Sequence, residues 1–251
     1  MSMKNSGKTK TAAIVLAAGS GSRMQADMKK QFMLLHGRPL IFYSLWELEH
    51  SFIDHIILVV SEDDIAYCER EIVGRYDFTK VKQIVAGGRE RYHSVYYGLE
   101  ALDECDYVFI QDGARPMLTR EILQRAMEMV KETDACVVGM PVKDTIAILN
   151  KEGIVEQIPD RRKIWMAQTP QVFAYELVKK AYLKLIKEET QIKKSGLNIT
   201  DDAMVVETFM GQQIKYVEGS YQNIKVTTPE DLLLAELFLK EYSVEKTQNI
   251  E

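Results

Sequence analysis

The 251-residue sequence has few cysteines, no long apolar run and no excess of positive charge. Its three cysteines (Cys68, Cys105 and Cys136) have no Cys-x-x-Cys spacing and no neighbouring histidine pairs, which argues against a zinc site or a disulfide framework. They suit a reducing compartment, so we expect a cytoplasmic protein. No stretch approaches the ~20 apolar residues of a membrane-spanning helix. The leader MSMKNSGKTK also lacks the apolar core of a signal peptide.

The charge balance narrows the range of partners. The formal net charge is -5, whereas general nucleic-acid binders are usually basic. We therefore expect neither a nucleic-acid nor a membrane partner, and any cationic site must be local. The hydrophobic fraction of 46% is ordinary for a chain that buries a real core.

Apolar β-branched runs alternate with amphipathic ones along most of the chain. The predicted strands include TAAIVLA, HIILVV, VKQIVA, YVFIQD and ACVVGMPV. Segments with helical spacing separate them, including TREILQRAMEMVKE, which Thr119 is placed to cap. After residue 170 we expect helices in FAYELVKKAYLKLIKEE and TDDAMVVETFM, the strand QIKYVE, and a helix beginning at TTPEDL. This alternation predicts an α/β fold with a mostly parallel, twisted sheet flanked by helices.

The predicted domain covers residues 11–242, between a disordered leader (1–10) and a disordered tail (243–251). Within it, two short alternating runs around Asn150-Lys151-Glu152-Gly153 predict a β-hairpin at about 143–165. An arm too small for its own core needs a partner surface, which favours a homodimer formed through this protruding hairpin. The alternative is a hairpin folded onto its own domain.

The first strand leads into a cationic, glycine-rich loop. The stretch AAIVLAAGSGSRMQADMKKQF contains Arg23, Lys29 and Lys30, and its one acid is Asp27. Such a loop suits a highly anionic ligand close to the backbone, and phosphate is the usual candidate.

Two common phosphate motifs do not fit this loop. Ser6-Gly7-Lys8-Thr9 resembles the end of a P-loop but precedes the first strand, whereas a P-loop follows it. Gly19-x-Gly21 begins like a dinucleotide fingerprint, but Met24 replaces the third glycine. No acidic residue stands about twenty positions further on, so a nicotinamide site is disfavoured.

The stretch L-A-A-G-x-G-x-R-M followed by Lys-Gln resembles the first loop of nucleotidyltransferases that activate phosphorylated sugars and alcohols. Later come AGGRERYHSV, QDGARP, AQTPQVF and NIKVTTPEDL. In this order the five stretches resemble the 2-C-methyl-D-erythritol 4-phosphate cytidylyltransferase family over residues 11–239. Lys29 stands where that family has proline, and Gln31-Phe32 identifies Lys30 as the loop lysine.

Two alternatives remain. The ribitol 5-phosphate cytidylyltransferase branch shares most of these motifs. Its first loop tends to read L-A-G-G and its acidic motif H-D-A-V-R-P, so Ala17-Ala18-Gly19 and Asp112-Gly113-Ala114 favour the methylerythritol branch. A non-catalytic nucleotide-binding or scaffolding protein could also keep this fold. Loss of Arg23, Lys30 or Lys225 would favour it, and all three are present.

The resemblance implies a Rossmann-like nucleotidyltransferase that transfers a cytidylyl group from CTP to methylerythritol phosphate with Mg²⁺ and releases pyrophosphate. It implies catalytic roles for Arg23, Lys30 and Lys225, which would hold the triphosphate. Asp112 would lie by the ribose and the metal ion, and we expect no catalytic histidine. The nucleotide-binding residues would be Ala17, Ala18, Gly19, Gly21, Gly87, Gly88, Ser94, Asp112 and Gly113.

For the second substrate, the resemblance points to Thr145 and Arg161 on the arm, reaching into the site of the neighbouring subunit. An arginine suits this role because it can bind a phosphate bidentately. Arg91 is expected to hold its loop by internal hydrogen bonds. The rest of the substrate site would be lined by Arg115, Thr169, Thr200 and Asp201.

Overall fold

A computed structural model describes residues 8–19 and 29–248, with side chains described up to residue 240. A seven-stranded sheet forms its centre. Its strands are β1 (Thr11–Ala17), β4 (His55–Val60), β5 (Val81–Ala86), β6 (Tyr107–Asp112), β7 (Ala135–Pro141), β10 (Trp165–Ala174) and β11 (Lys215–Glu218). Their order in the sheet is β11-β7-β10-β6-β1-β4-β5. All neighbouring pairs are parallel except those made by β10. The prediction of a mostly parallel α/β sheet is confirmed.

Helices cover both faces of this sheet. They are α1 (Leu40–Glu49), α2 (Ile65–Tyr67), α3 (Arg91–Glu100), α4 (Arg120–Thr133), α5 (Tyr175–Ser195), α6 (Asp202–Met210) and α7 (Pro229–Gln248). A 3₁₀ turn precedes α2 and a π-type turn over Cys68–Gly74 follows it. Thr119 caps α4 as predicted, since its hydroxyl accepts from the Ile122 N–H. Within the described part of the chain, no helix is both long and apolar enough to cross a bilayer.

The core consists of two layers on opposite faces of the sheet. Ala13 and Val15 of β1 pack into the layer that contains α1 and α4, while Ile14 packs into the layer with α3, α5 and α6. A third, smaller cluster joins Leu40 to Val226 and α7. Because Val226 follows Lys225, this cluster fixes the segment that bears that lysine.

The central strand β10 was not predicted. It runs antiparallel between β6 and β7, and its register with β7 shifts between Ala167 and Gln171. The sequence shows no apolar strand pattern here because three of the buried side chains of β10 are polar: Gln168, Thr169 and Gln171. With Pro170 among them, the stretch has the composition of a loop. The predicted helix of this region accordingly begins at Tyr175 rather than at Phe173.

Two small antiparallel pairs lie outside the main sheet. One is formed by β2 (Leu34–Leu35) and β3 (Arg38–Pro39), and the other is the predicted arm hairpin of β8 (Ile148–Leu149) and β9 (Val155–Gln157). The apolar side chains of the arm are between 45% and 63% exposed. They are Ile148, Leu149, Ile154, Val155 and Ile158. This exposure argues against the alternative of a hairpin that buries its apolar face on its own domain.

Candidate active site

A cavity of about 450 Å³ opens at the carboxyl edge of the sheet. Strand register brings its walls together, because Leu16 of β1 lies beside Asp112 of β6. In open α/β sheets this edge is where ligands bind. Eight of the predicted site residues line the cavity: Ala17, Ala18, Gly19, Lys30, Gly88, Ser94, Asp112 and Lys225.

Two predicted glycines lie directly behind this wall. The Gly87 N–H donates to Val60 O at 2.7 Å, and a Cβ at this position would collide with Ala18 and lie 2.8 Å from Ser94 Oγ. A Cβ on Gly113 would lie 3.1 Å from Leu16 O. Both glycines therefore let neighbouring strand ends approach closely. Arg23 and Gly21 lie outside the described residues.

Asp112 is the centre of charge in the cavity. Its carboxylate lies 2.7 Å from Lys225 Nζ, 3.6 Å from Arg91 Nε and 4.0 Å from Arg115 Nε. Its backbone N–H donates to Thr169 Oγ1. Burial alone would raise the pKa of Asp112, but the charges of Arg91, Lys225 and Arg115 together hold that pKa well below its ordinary range. The group is therefore an anion at any physiological pH.

The two adjacent lysines of the loop have different surroundings. Lys30 lines the cavity, and its Nζ donates to Val226 O at 3.2 Å. The residue before Val226 is Lys225, which also lines the cavity. Lys29 Nζ instead pairs with Asp64 Oδ2 at 2.7 Å and with Ser61 Oγ at 2.9 Å. The assignment of Lys30 as the loop lysine fits this arrangement.

Gln31 stabilises the first loop, a role that the sequence analysis does not predict. Its side chain is buried, and Nε2 donates to Ala17 O at 2.7 Å and to Gly19 O at 3.3 Å. A polar residue between Lys30 and Phe32 gives no sign that it points inward. Arg89 also lines the cavity.

The loop from Gly87 to Glu90 is fixed by residues in the first turn of α3. Ser94 Oγ accepts the Gly88 N–H at 3.1 Å, one turn into α3. Arg91 forms a bidentate pair with Asp202, with both bonds at 2.7 Å. The predicted loop-holding role of Arg91 thus has a specific partner, Asp202, which the sequence analysis does not identify; it assigns only the preceding residue, Asp201, and to the substrate site. The first acid of the pair caps the helix, and the second points into the core.

The predicted residues for the second substrate are not among the described residues that line the cavity, although two of them, Arg115 and Thr169, contact Asp112. Arg115 is buried, and its Nη1 donates to Asn223 O at 2.7 Å. Thr169 is buried beneath Asp112. Asp201 caps α6 by accepting from the Met204 N–H, and it also accepts from Gln171 Nε2. Thr200 is exposed just before it.

The two predicted arm residues are also exposed. Thr145 follows the end of β7, and Arg161 Nη1 donates to Lys143 O at 2.9 Å, which ties the two ends of the arm together. Neither side chain belongs to the lining of its own chain's cavity among the described residues.

Replacing Asp112 with Asn should destabilise the ligand-free protein by about 3 kcal/mol at pH 7, because three cations lose a buried anion. The pKa of Asp112 is lowered by folding. Its stabilising contribution is therefore complete above the ordinary carboxyl pKa of about 3.9 and declines as the pH falls below it. Urea unfolding of both proteins between pH 7 and pH 3 should show that the difference between their free energies of unfolding decreases as the pH falls.

Asp160→Asn provides the control, because its carboxylate pairs with Arg162 on the exposed arm. This variant should leave the urea midpoint almost unchanged. An Asp112→Asn protein as stable as the parent at pH 7 would contradict this account of the charge centre.

Comparison with known proteins agrees with this geometry. The family model for 2-C-methyl-D-erythritol 4-phosphate cytidylyltransferase (IspD) matches residues 11–241. The chain belongs to this family. The cytidylyltransferase of that name from Lachnoclostridium phytofermentans is 44% identical over 233 residues, covering 93% of this chain and 97% of the relative. That from Lachnospira eligens is 45% identical over 229 residues, covering 91% and 98%.

Solved structures of cytidylyltransferases share the fold. The 4-diphosphocytidyl-2C-methyl-D-erythritol synthase of Anaerococcus prevotii superposes with a TM-score of 0.79 at 31% identity, covering 92% of this chain and 96% of that one. The Francisella tularensis cytidylyltransferase gives 0.74 at 28% identity, covering 91% and 99%. The resemblance predicted from five short motifs is confirmed, and the ribitol 5-phosphate alternative is not favoured.

Proposed function

We infer that this chain transfers a cytidylyl group from CTP to 2-C-methyl-D-erythritol 4-phosphate, releasing pyrophosphate and 4-diphosphocytidyl-2-C-methyl-D-erythritol. The supporting observation is the joint lining of one cavity by Lys30, Lys225 and Asp112, beside glycine-rich strand ends. Family membership supplies the substrate pair. Loss of either lysine would have favoured a non-catalytic binding protein, and both are present in the lining of the cavity.

The reaction joins two anions. The substrate phosphate oxygen attacks the α-phosphorus of CTP and the bond to pyrophosphate breaks, so no covalent enzyme intermediate is required. The protein must align the two groups and disperse the negative charge of a five-coordinate transition state. Arg23, Lys30 and Lys225 are proposed to do so by binding the triphosphate.

Lys225 bonds Asp112 in the ligand-free protein. When the triphosphate enters, this ammonium turns from the carboxylate to the phosphates, and Asp112 becomes available to another cation. Mg²⁺ usually binds through one or two carboxylates together with substrate phosphates. Residues 8–19 and 29–248 contain no group of three or more candidate metal ligands. A site of this kind needs only one protein carboxylate, and Asp112, which faces the cavity, fits that requirement. We propose that Asp112 holds this ion, which would neutralise phosphate charge.

Cytosine is proposed to lie against the turn of Ala17 and Ala18, with Gly87 and Gly88 on its other edge. The Ser94 hydroxyl accepts from Gly88 N–H and can donate to the base at the same time, because a hydroxyl does both. Gly113, next to Asp112, would let the ribose approach the backbone.

The methylerythritol phosphate site is proposed to be composite. Arg161 and Thr145 would reach it from the arm of a second copy of the chain, and the exposed apolar side chains of the arm would pack in the homodimer. Arg115 and Thr169 would act from below by fixing Asp112 and the segment around Asn223. Thr200 and Asp201 complete the proposed lining.

A cytoplasmic location is proposed on the state of the cysteines. All three thiols are unpaired, and burial raises the pKa of Cys68, of Cys105 and of Cys136 to about 12 in each case. They are protonated and unreactive at neutral pH.

The decisive test is pyrophosphate release from CTP and Mg²⁺ with either methylerythritol 4-phosphate or ribitol 5-phosphate as acceptor. We expect turnover with the first and at least about 100-fold less with the second, because the polar groups that bind one acceptor would be left unpaired by the other. Turnover with ribitol phosphate alone would overturn the acceptor assignment, and turnover with neither would overturn the proposed reaction.

A further inference from the structure

A chain of polar groups connects Asp112 in the cavity to the helices on one face of the sheet. Arg91 at the start of α3 lies between Asp112 and Asp202, the first residue of α6. Asp202 in turn accepts a short hydrogen bond from the hydroxyl of Tyr182 on α5. Asp202 and Tyr182 are both completely buried. Neither lines the cavity as the described residues outline it.

The geometry of Arg91 is unequal towards its two acids. Both terminal nitrogens bond Asp202 at 2.7 Å, whereas Nε remains 3.6 Å from Asp112 Oδ1, beyond an ordinary hydrogen bond. Asp202 thus takes the two strong contacts and keeps the guanidinium from closing onto Asp112. Tyr182 fixes Asp202 in the orientation that makes this fork possible.

We propose that Asp202, oriented by Tyr182, is a positioning residue that acts through Arg91 to keep Asp112 available for exchange between Lys225 and the incoming ligands. Without Asp202 the Arg91 side chain is drawn to the nearest remaining anion, Asp112. It then competes both with Lys225 and with any cation that arrives with CTP. The inference rests on the proposed cytidylyl transfer, because it assigns Asp112 a part in that reaction.

The same anchor fixes the first turn of α3. Ser94 lies three residues after Arg91 and bonds the Gly88 N–H at 3.1 Å. Movement of Arg91 towards Asp112 would therefore also shift the loop proposed to contact cytosine. Loss of the anchor should raise the KM for CTP as well as lower kcat.

The test is a double-mutant cycle with Asp202→Asn and Asp112→Asn, measured as kcat/KM for CTP. If Asp202 acts through Asp112, its replacement should lower kcat/KM by about 50-fold in the parent but by less than about threefold in the Asp112→Asn background. Equal factors in both backgrounds would mean that Asp202 contributes only to general stability, and would overturn the proposal.

Tyr182→Phe keeps the ring and leaves Arg91 and Asp202 unchanged, but it removes the hydroxyl that orients Asp202. It therefore provides the cycle even if Asp202→Asn fails to fold. We expect a loss of about fivefold that disappears in the Asp112→Asn background. The matched control is Tyr175→Phe, another buried tyrosine of α5, whose hydroxyl bonds Leu99 O and Leu102 O away from the cavity. Equal losses for the two tyrosine variants would also overturn the proposal.

Calorimetric CTP binding separates this inference from the proposed function. A parent protein that binds CTP but never releases pyrophosphate disproves the reaction. The coupling between Asp202 and Asp112 in CTP affinity then still decides the inference. Normal turnover with no such coupling disproves the inference alone.

Discussion

Lys30→Ala is expected to lower kcat by about 1,000-fold, at the upper end of what removal of one preorganised donor to a developing charge costs. Lys30 Nζ reaches Val226 O, so its ammonium lies beside the backbone of Lys225, and both side chains line the cavity. The two charges would act on the same phosphate group. Single-turnover measurement of pyrophosphate release isolates the chemical step from product dissociation.

The neighbouring lysine supplies a matched control. Lys29 differs by one position but pairs with Asp64 and Ser61 outside the cavity. Lys29→Ala should stay within about threefold of the parent, since a partly exposed ion pair contributes little. Similar losses for both variants would mean that the loop works through its overall charge, and the assignment of Lys30 would fail.

The parts of the fold that could be predicted follow directly from regular patterns. The strands with continuous apolar runs, such as β1 and β4, are buried on both faces, and a continuous apolar run predicts this burial. The arm hairpin was predicted from alternation around a turn at Gly153. In contrast, β10 was not predicted because its buried positions hold glutamine and threonine, which form hydrogen bonds with β6, with the loop at Ser220 and with the first turn of α6.

The predicted site residues that line the cavity come from sequence motifs at strand ends. Such residues meet because parallel strands place their carboxyl ends at one edge, and this register places Leu16, the neighbour of Ala17, beside Asp112. Such motifs give no indication of residues that lie behind the cavity wall and act through a residue of the lining. The pairing of Arg91 with Asp202 spans 111 positions of sequence. No local periodicity indicates a contact between helices so distant along the chain.

A substitution on the arm is also expected to have a large effect on activity. Arg161→Ala should lower kcat/KM for methylerythritol phosphate by about 100-fold or more, because it removes a proposed bidentate contact to the substrate phosphate. Arg162→Ala is the matched control, since that side chain pairs with Asp160 on the exposed face of the arm. It should remain within about threefold of the parent.

Mixing two inactive variants tests where Arg161 acts. In a dimer of one Lys30→Ala chain and one Arg161→Ala chain, an arm that reaches across gives one site with both residues intact. The other site lacks both. Random reassociation makes half of the dimers mixed, so activity should recover to about a quarter of the parent level. If each arm served its own cavity, every site would lack one residue and mixing would restore nothing. An active, stable monomer carrying Arg161→Ala would disprove the composite site altogether. Recovery on mixing therefore measures directly that the second substrate is bound between two copies of the chain.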